Sequence, residues 1–232
     1  MSLVLNAMQR RVLGVLIEKS MSQPEYYPMT VNAVVNGANQ RSSRNPVMNL
    51  DEADVTRTLR ELQYMELASQ AEPQPGARAL RFRHEVERKL GWDTRTRAVM
   101  AELLLRGPQT AGELRGRASR LTPLDSVEFV QQLLNELATR DPPLVREMPR
   151  APGQAASRYM HTLYLSDEPP PVVGPVVLSE ESAAAAPAVA GAAHVDDLAR
   201  RVQELESSVD ELKVTVDELR DQLGTLRMQL GA

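Results

Sequence analysis

The sequence contains no cysteine and few aromatic residues, and both shortages narrow the possible classes of protein. With no thiol among 232 residues, a disulfide framework, a cysteine-based zinc or iron–sulfur site and a thiol nucleophile are excluded. Aromatic residues make up 3% of the chain, which disfavours a large β-sandwich, because its strands are rich in aromatic side chains. The composition favours small cores of Leu, Val and Ala.

Motifs for membrane insertion and for catalysis are also missing. No apolar run approaches the ~18 residues of a membrane span, and the first amphipathic segment lacks the apolar core of a signal peptide. We therefore expect a cytoplasmic protein that does not enter a membrane. Phosphate-binding glycine loops, a nucleophile elbow, a nucleophile–base pair and a histidine cluster with metal-ligand spacing are absent from the sequence. We expect no enzymatic activity, no metal and no cofactor.

Charge divides the chain into a basic body and an acidic tail. Residues 1–165 carry 22 basic and 18 acidic residues, a net charge of +4. Residues 166–232 carry 5 and 13, a net charge of −8, so the overall charge is −4. Such asymmetry is more informative about partners than the average charge is.

The tail contains a linker pattern followed by a heptad repeat. Residues 166–193 are rich in Pro and Ala without a steady period, which predicts a linker. Residues 194–232 alternate three- and four-residue apolar spacings, with Val at the early a positions and Leu at the d positions, which favours a parallel two-stranded coiled coil and a homodimer. A single amphipathic helix packed on the body is the alternative. The heptad positions are Val195, Leu198, Val202, Leu205, Val209, Leu212, Val216, Leu219, Leu223, Leu226 and Leu230.

The body contains a diverged internal repeat. Val55-x3-Leu59-x-Glu61-Leu62 recurs as Val130-x3-Leu134-x-Glu136-Leu137, and Arg81-Phe82-x-His84 recurs as Arg158-Tyr159-x-His161. In each half two further helical segments precede the first pattern, and Thr30 and Thr110 are suitable N-caps of the second helix. Three helices followed by a hairpin are the order of a winged helix. We predict a mostly α fold with small β-wings, formed by two winged-helix units at residues 1–90 and 91–165.

Three longer motifs carry a resemblance to a known family. The runs YPMTVNA at 27–33, NQRSSRNPVM at 39–48 and LLRGPQT at 104–110 resemble the YceH-like family of bacterial proteins. So do Gly112-Glu113-Leu114-Arg115-x-Arg117-Ala118 and the closing Arg158-Tyr159-x-His161, and the resemblance covers about residues 3–165. The resemblance implies a tandem winged-helix fold in a family without a settled biochemical role. Where that family usually has Ser at the start of helix three, this chain has Asp51, which caps a helix equally well.

The predicted third helix of the first unit, at 51–64, carries a basic outer face. With Val55, Leu59 and Leu62 buried, the outward positions are Ala53, Arg57, Arg60 and Tyr64. Winged helices commonly place this helix in the major groove of DNA. We therefore expect double-stranded DNA as a partner, with Arg57 and Arg60 facing the bases and a role in transcription regulation. The phosphate-contact candidates are Arg41, Ser42, Ser43 and Arg44 in the preceding loop and Arg78, Arg81 and Arg83 in the wing.

The corresponding helix of the second unit, at 125–139, has no basic residue on its outer face. Its outward positions are Glu128, Gln131, Gln132, Asn135 and Glu136. Base reading by this helix is not expected, although Arg115, Arg117 and Arg120 near helix two offer phosphate donors. The second unit instead suits packing on the first, where Phe129 and Leu133 widen its apolar face, or binding to protein. A non-enzymatic scaffold or adaptor, with solvated arginines on the first unit, is therefore the alternative function.

Two histidines lie in the predicted wings. Strand alternation places Leu80, Phe82 and His84 on the core-facing side of the first wing. Tyr159, His161 and Leu163 occupy the same side of the second wing. We expect half-buried histidines that are hydrogen-bonded beneath the wings; a pH switch or a metal ligand is the alternative.

Overall fold

The computed structural model describes residues 3–72, 79–150, 156–165 and 168. The predicted coiled coil, nearly all of the predicted linker and the wing residue Arg78 lie outside the described residues. The domain boundaries assigned from the sequence and the dimer therefore stay predictions.

The described chain is an α+β structure whose two halves repeat one order of elements. The first half contains α1 (Ala7–Ser22), a short 3-10 turn (Pro24–Tyr26), β1 (Met29–Thr30), α2 (Val31–Ala38), α3 (Glu52–Tyr64), β2 (Ala68–Gln70), β3 (Arg81–His84) and α4 (Val86–Leu90). The second half contains α5 (Thr94–Arg106), β4 (Gln109–Thr110), α6 (Ala111–Ala118), α7 (Val127–Thr139), β5 (Val145–Glu147) and β6 (Arg158–His161). Apart from α4 and the 3-10 turn, the orders are identical.

Each half contains a small antiparallel sheet. The strand orders are β1-β3-β2 and β4-β6-β5, so the last strand of each half lies between the other two. Met29 pairs with Phe82 in the first sheet, and Gln109 pairs with Tyr159 in the second. The sheets are consistent with the predicted wings.

Local capping explains where the helices begin. The Thr30 hydroxyl accepts a hydrogen bond from the backbone N–H of Ala33, and Thr110 forms a capping box with Glu113. Both caps confirm the sequence analysis. Asp51 caps α3 in a second capping box with Asp54, so the acidic residues at this helix start satisfy backbone N–H groups that would otherwise lack partners.

The two halves are held together by α1 and α5, the first long helix of each. In α1 every residue from Arg10 to Ile17 is buried, and in α5 most of the residues between Thr96 and Leu105 are buried. At Gly14 the helices come so close that a Cβ atom would lie 2.9 Å from Cγ of Leu105. The two halves therefore share one continuous core.

One predicted core position is wrong. Phe82 is 5% exposed, as the strand alternation predicts, but Leu80 is 54% exposed. Strand β3 begins at Arg81, so Leu80 precedes the paired segment and the alternation does not extend to it. No helix in the part of the chain that the structure describes is long and apolar enough to cross a membrane.

Candidate nucleic-acid interface

The outer face of α3 is exposed to solvent and does not belong to the core. Val55, Leu59 and Leu62 are fully buried, which confirms the predicted inner stripe. Ala53, Arg57, Arg60 and Tyr64 are all exposed, and Tyr64 at the helix end is 92% exposed. A helix that is packed against the core on one side and exposed to solvent on the other is able to enter a groove of DNA.

Arg57 on this face has an acidic neighbour. Its guanidinium lies 2.7 Å from the Asp54 carboxylate, one turn earlier on the helix, and its side chain is 55% exposed. An exposed pair of this kind contributes about 0–1 kcal/mol. Replacing the contact of Arg57 with Asp54 by a contact with a phosphate or a base edge therefore costs little free energy.

The loop before α3 supplies fewer phosphate donors than the sequence predicts. Arg41 and Ser42 are exposed. Ser43 is partly buried, and its hydroxyl accepts a hydrogen bond from Arg106. Arg44 is 5% exposed, pairs with Glu18 at 2.6 Å and donates to the backbone of α2. The prediction that Arg44 contacts phosphate is wrong, because this guanidinium is used to fix the loop inside the molecule.

In the first wing only one of the two described arginines points to solvent. Arg81 is partly buried and donates a hydrogen bond of 2.9 Å to the carbonyl of Pro28. It therefore ties β3 to the segment before β1, and the phosphate contact through Arg81 stays a prediction. Arg83 is exposed, although Glu85 and Ser69 hold its Nε at 3.1 and 3.0 Å. The exposed arginines among the predicted site residues are Arg41, Arg57, Arg60 and Arg83.

The outer face of α7 is acidic and polar, as the sequence predicts. Exposed residues on it are Glu128, Gln132, Asn135 and Glu136. Gln131 is partly buried and donates to the Tyr159 hydroxyl. Phe129 is covered by the guanidinium of Arg95, 4.7 Å from its ring centre. The apolar surface that Phe129 adds to α7 is thus covered by a residue of the second half.

The basic residues around α6 are also divided into exposed and partly buried side chains. Arg115 and Arg120 are exposed, whereas Arg117 is partly buried and donates to Gln109 at 2.6 Å. Arg120 faces Glu102 of α5 at 3.9 Å. Of these three arginines, Arg115 is therefore the one that is exposed and has no ion pair within the described residues.

Both wing histidines are hydrogen-bonded, and both have lowered pKa values. His84 Nε2 lies 2.9 Å from the Ser20 hydroxyl, and burial lowers its pKa to about 4. His161 is 1% exposed, its Nδ1 accepts a hydrogen bond from the backbone N–H of Leu163, and burial lowers its pKa to about 3. Within the described residues, no group of three or more metal-binding side chains is close enough to hold an ion.

Two buried arginines were not identified from the sequence as functional candidates. Arg10 and Arg11 on α1 are 7% and 1% exposed. The residues after them, 12–17, are apolar except for Gly14 and cover several faces of the helix. This near-continuous apolar run is the signal for a helix buried on all sides, where neighbouring charges are buried too.

Comparisons with known proteins identify the family of this chain. The family described as "Protein of unknown function, DUF480" matches residues 5–154. A UPF0502 protein of Geobacter sulfurreducens is 47% identical over 163 residues, which cover 70% of this chain and 74% of the relative. One of Koribacter versatilis is 47% identical over 174 residues, covering 75% and 80%. One of Burkholderia pseudomallei is 45% identical over 159 residues, covering 68% and 67%. All three of these relatives are UPF0502 proteins. In accord with its resemblance to the YceH-like family, the chain belongs to the DUF480 family.

Proposed function

We propose that this protein binds double-stranded DNA through a tandem winged-helix fold, with α3 of the first half in the major groove. The observation that carries the proposal is the outer face of α3. Arg57 and Arg60 are exposed there, one helical turn apart, on a helix whose other side is locked into the core. Guanidinium groups in this setting suit guanine edges and phosphates equally.

The surroundings of α3 support the same orientation. Arg41 lies in the loop that leads into the helix, and Arg83 lies on the central strand of the first sheet; both are exposed. Phosphate contacts at either side of a recognition helix fix its register on the duplex. The acidic outer face of α7 argues against a matching role for the second half.

We propose further that the protein is a cytoplasmic, non-enzymatic transcription regulator and that residues 194–232 pair two copies. Support for pairing comes from the heptad in the sequence, where Val at a and Leu at d favour two parallel strands. A dimer would offer two α3 helices to one duplex, which raises the effective affinity.

The proposal is tested by fluorescence anisotropy of a labelled random-sequence duplex, titrated with the full chain at several salt concentrations. We expect binding that weakens steeply with salt, because bound phosphates release counterions. In the double variant Arg57→Ala/Arg60→Ala the affinity should fall about tenfold, and the salt slope should shrink by about 1 for each lost phosphate contact.

A matched variant removes two other exposed arginines. Arg140 and Arg150 are exposed in the second half, and the double variant Arg140→Ala/Arg150→Ala changes the net charge by the same amount. It should bind nearly as the unmodified chain does. Equal losses in both double variants would mean that charge alone, and not α3, governs binding. No binding at low salt would reject DNA and favour a scaffold whose acidic α7 face binds protein.

A further inference from the structure

A cavity of about 260 Å³ lies between the two halves of the described chain. Its wall combines the start of α1, the loop before α3, the end of α5 and the segment that follows β6. Charged and polar lining residues are Arg10, Arg11, Asn45, His161, Tyr164 and Glu168. The volume is below the usual range for drug-sized ligands, about 300–1,000 Å³, so only a small ligand fits.

Arg11 brings a buried positive charge to this wall without a carboxylate partner of its own. Its terminal nitrogens donate to the carbonyls of Ala38 at 2.9 Å and Pro46 at 2.5 Å, and its Nε has no hydrogen-bond partner. Burial and the nearby Arg44 lower its pKa to about 10. Burying a guanidinium with neutral partners only is unfavourable. An anion in the cavity relieves that cost.

Arg10 shows which anion the wall accepts. Both oxygens of the Glu168 carboxylate receive hydrogen bonds from its guanidinium, one of them from Nη1 at 2.7 Å. The guanidinium also lies 4.4 Å from the centre of the Tyr164 ring, and its side chain is 8% exposed. This is the bidentate geometry that selects a carboxylate. Arg44 is paired with Glu18 and Arg10 with Glu168, so the three guanidinium groups of Arg10, Arg11 and Arg44 share two carboxylates, which leaves one positive charge uncompensated.

The rest of the wall suits a short carbon chain. His161 accepts from the N–H of Leu163 through Nδ1, which places its own proton on Nε2 as a neutral donor. Its ring stacks on Tyr164 with 4.1 Å between ring centres. Met48 and Leu104 add apolar surface. The lining therefore combines donors for one acidic group with room for a small apolar body.

We propose that this cavity binds a small organic carboxylate, which compensates Arg11 and competes with Glu168 for Arg10. Glu168 then acts as an internal occupant that the ligand displaces. The inference is independent of DNA binding, because none of the exposed arginines on α3 contributes to the cavity.

Isothermal titration calorimetry of the full chain with sodium butyrate and sodium succinate, at constant ionic strength, tests the proposal. Butyramide serves as the neutral counterpart of butyrate. We expect saturable binding of at least one carboxylate and none of the amide. Removing the internal competitor with Glu168→Gln should tighten binding about tenfold, because one charge-assisted pair no longer has to be broken. Replacing the ligand-binding cation with Arg10→Met should weaken it by a similar factor.

The matched control is Glu147→Gln, which neutralises an exposed carboxylate on β5 and should leave binding unchanged. Glu168 is also at the margin of the fold, so its variant keeps the core intact, as far-UV circular dichroism will verify. The proposal is overturned if neither carboxylate binds the unmodified chain or the Glu168→Gln variant at millimolar concentration. Equal affinities of the Glu168→Gln and Glu147→Gln variants also overturn it. Binding of inorganic phosphate without binding of either carboxylate rejects the assigned ligand class.

Discussion

The close crossing of α1 and α5 leads to a sharp prediction about stability. Replacing Gly14 by Ala adds one Cβ atom, which would lie 2.9 Å from Cγ and 3.0 Å from Cδ2 of Leu105, and 3.2 Å from Cβ of Leu104. Carbon atoms in good contact are separated by about 3.5–4.0 Å. Both leucines are almost completely buried, and the closest atom is a branch carbon that cannot swing away alone. The helices must therefore move apart.

Two opposing effects determine the size of the change. Ala is favoured over Gly inside a helix by about 1 kcal/mol. Inserting a methyl group into a well-packed core costs about 1–3 kcal/mol. The several short contacts at Gly14 place the cost toward the upper end, so we expect a net loss of about 1–2 kcal/mol in the free energy of unfolding.

Urea unfolding followed by tryptophan fluorescence measures this loss. Trp92 is the single tryptophan of the chain and is fully buried, so its emission reports on the core. Gly116→Ala is the matched control, because Gly116 occupies an exposed position of α6 and a Cβ there meets nothing within 4 Å. That variant should gain about 0.5–1 kcal/mol from helix propensity. If Gly14→Ala is as stable as the unmodified chain, the two halves do not pack as closely as described.

Two further predictions concern a helix cap and the buried histidines. Asp51→Ala should lower the free energy of unfolding by about 1 kcal/mol, whereas Asp51→Ser should retain it; similar urea midpoints for the two variants would argue against the cap. His84 and His161 have pKa values lowered to about 4 and about 3, while the unfolded chain takes up these protons near pH 6.5. Below that pH the unfolded state binds more protons, so stability should fall by on the order of 1–2 kcal/mol per histidine between about pH 7 and about pH 5. A urea midpoint that does not change over this range would contradict the burial of both rings.

The second half of the chain helps to position α3. The loop before α3 donates from the backbone N–H of Asn45 to the carbonyl of Leu105 at 2.8 Å, and Arg106 donates to the Ser43 hydroxyl at 2.5 Å. The connection between α2 and α3 is thus fixed on the end of α5. A second half without a basic groove-facing helix therefore still has a clear structural role beside the proposed DNA-binding half.

Local features of this protein follow directly from its sequence. The threonine caps of α2 and α6, the buried stripe and bare face of α3, and the polar face of α7 depend on side-chain spacing along one element, and all agree with the structure. The structural repeat of the two halves can also be predicted from the sequence, because the same spacing of apolar residues in both halves favours the same helices and strands. Caps and helical faces involve residues within a few positions of each other, so no knowledge of long-range contacts is required.

Long-range packing decided which charged residues are free to act. Arg44 and Arg81 look like phosphate donors in the sequence, yet the fold turns one toward Glu18 and the other toward Pro28. The buried Arg10 and Arg11 acquire their setting only when the two halves meet around the cavity. A guanidinium on a loop or a helix reaches solvent or a distant carbonyl with equal ease. Only the position of the opposing element, many residues away in the chain, determines which of the two it reaches.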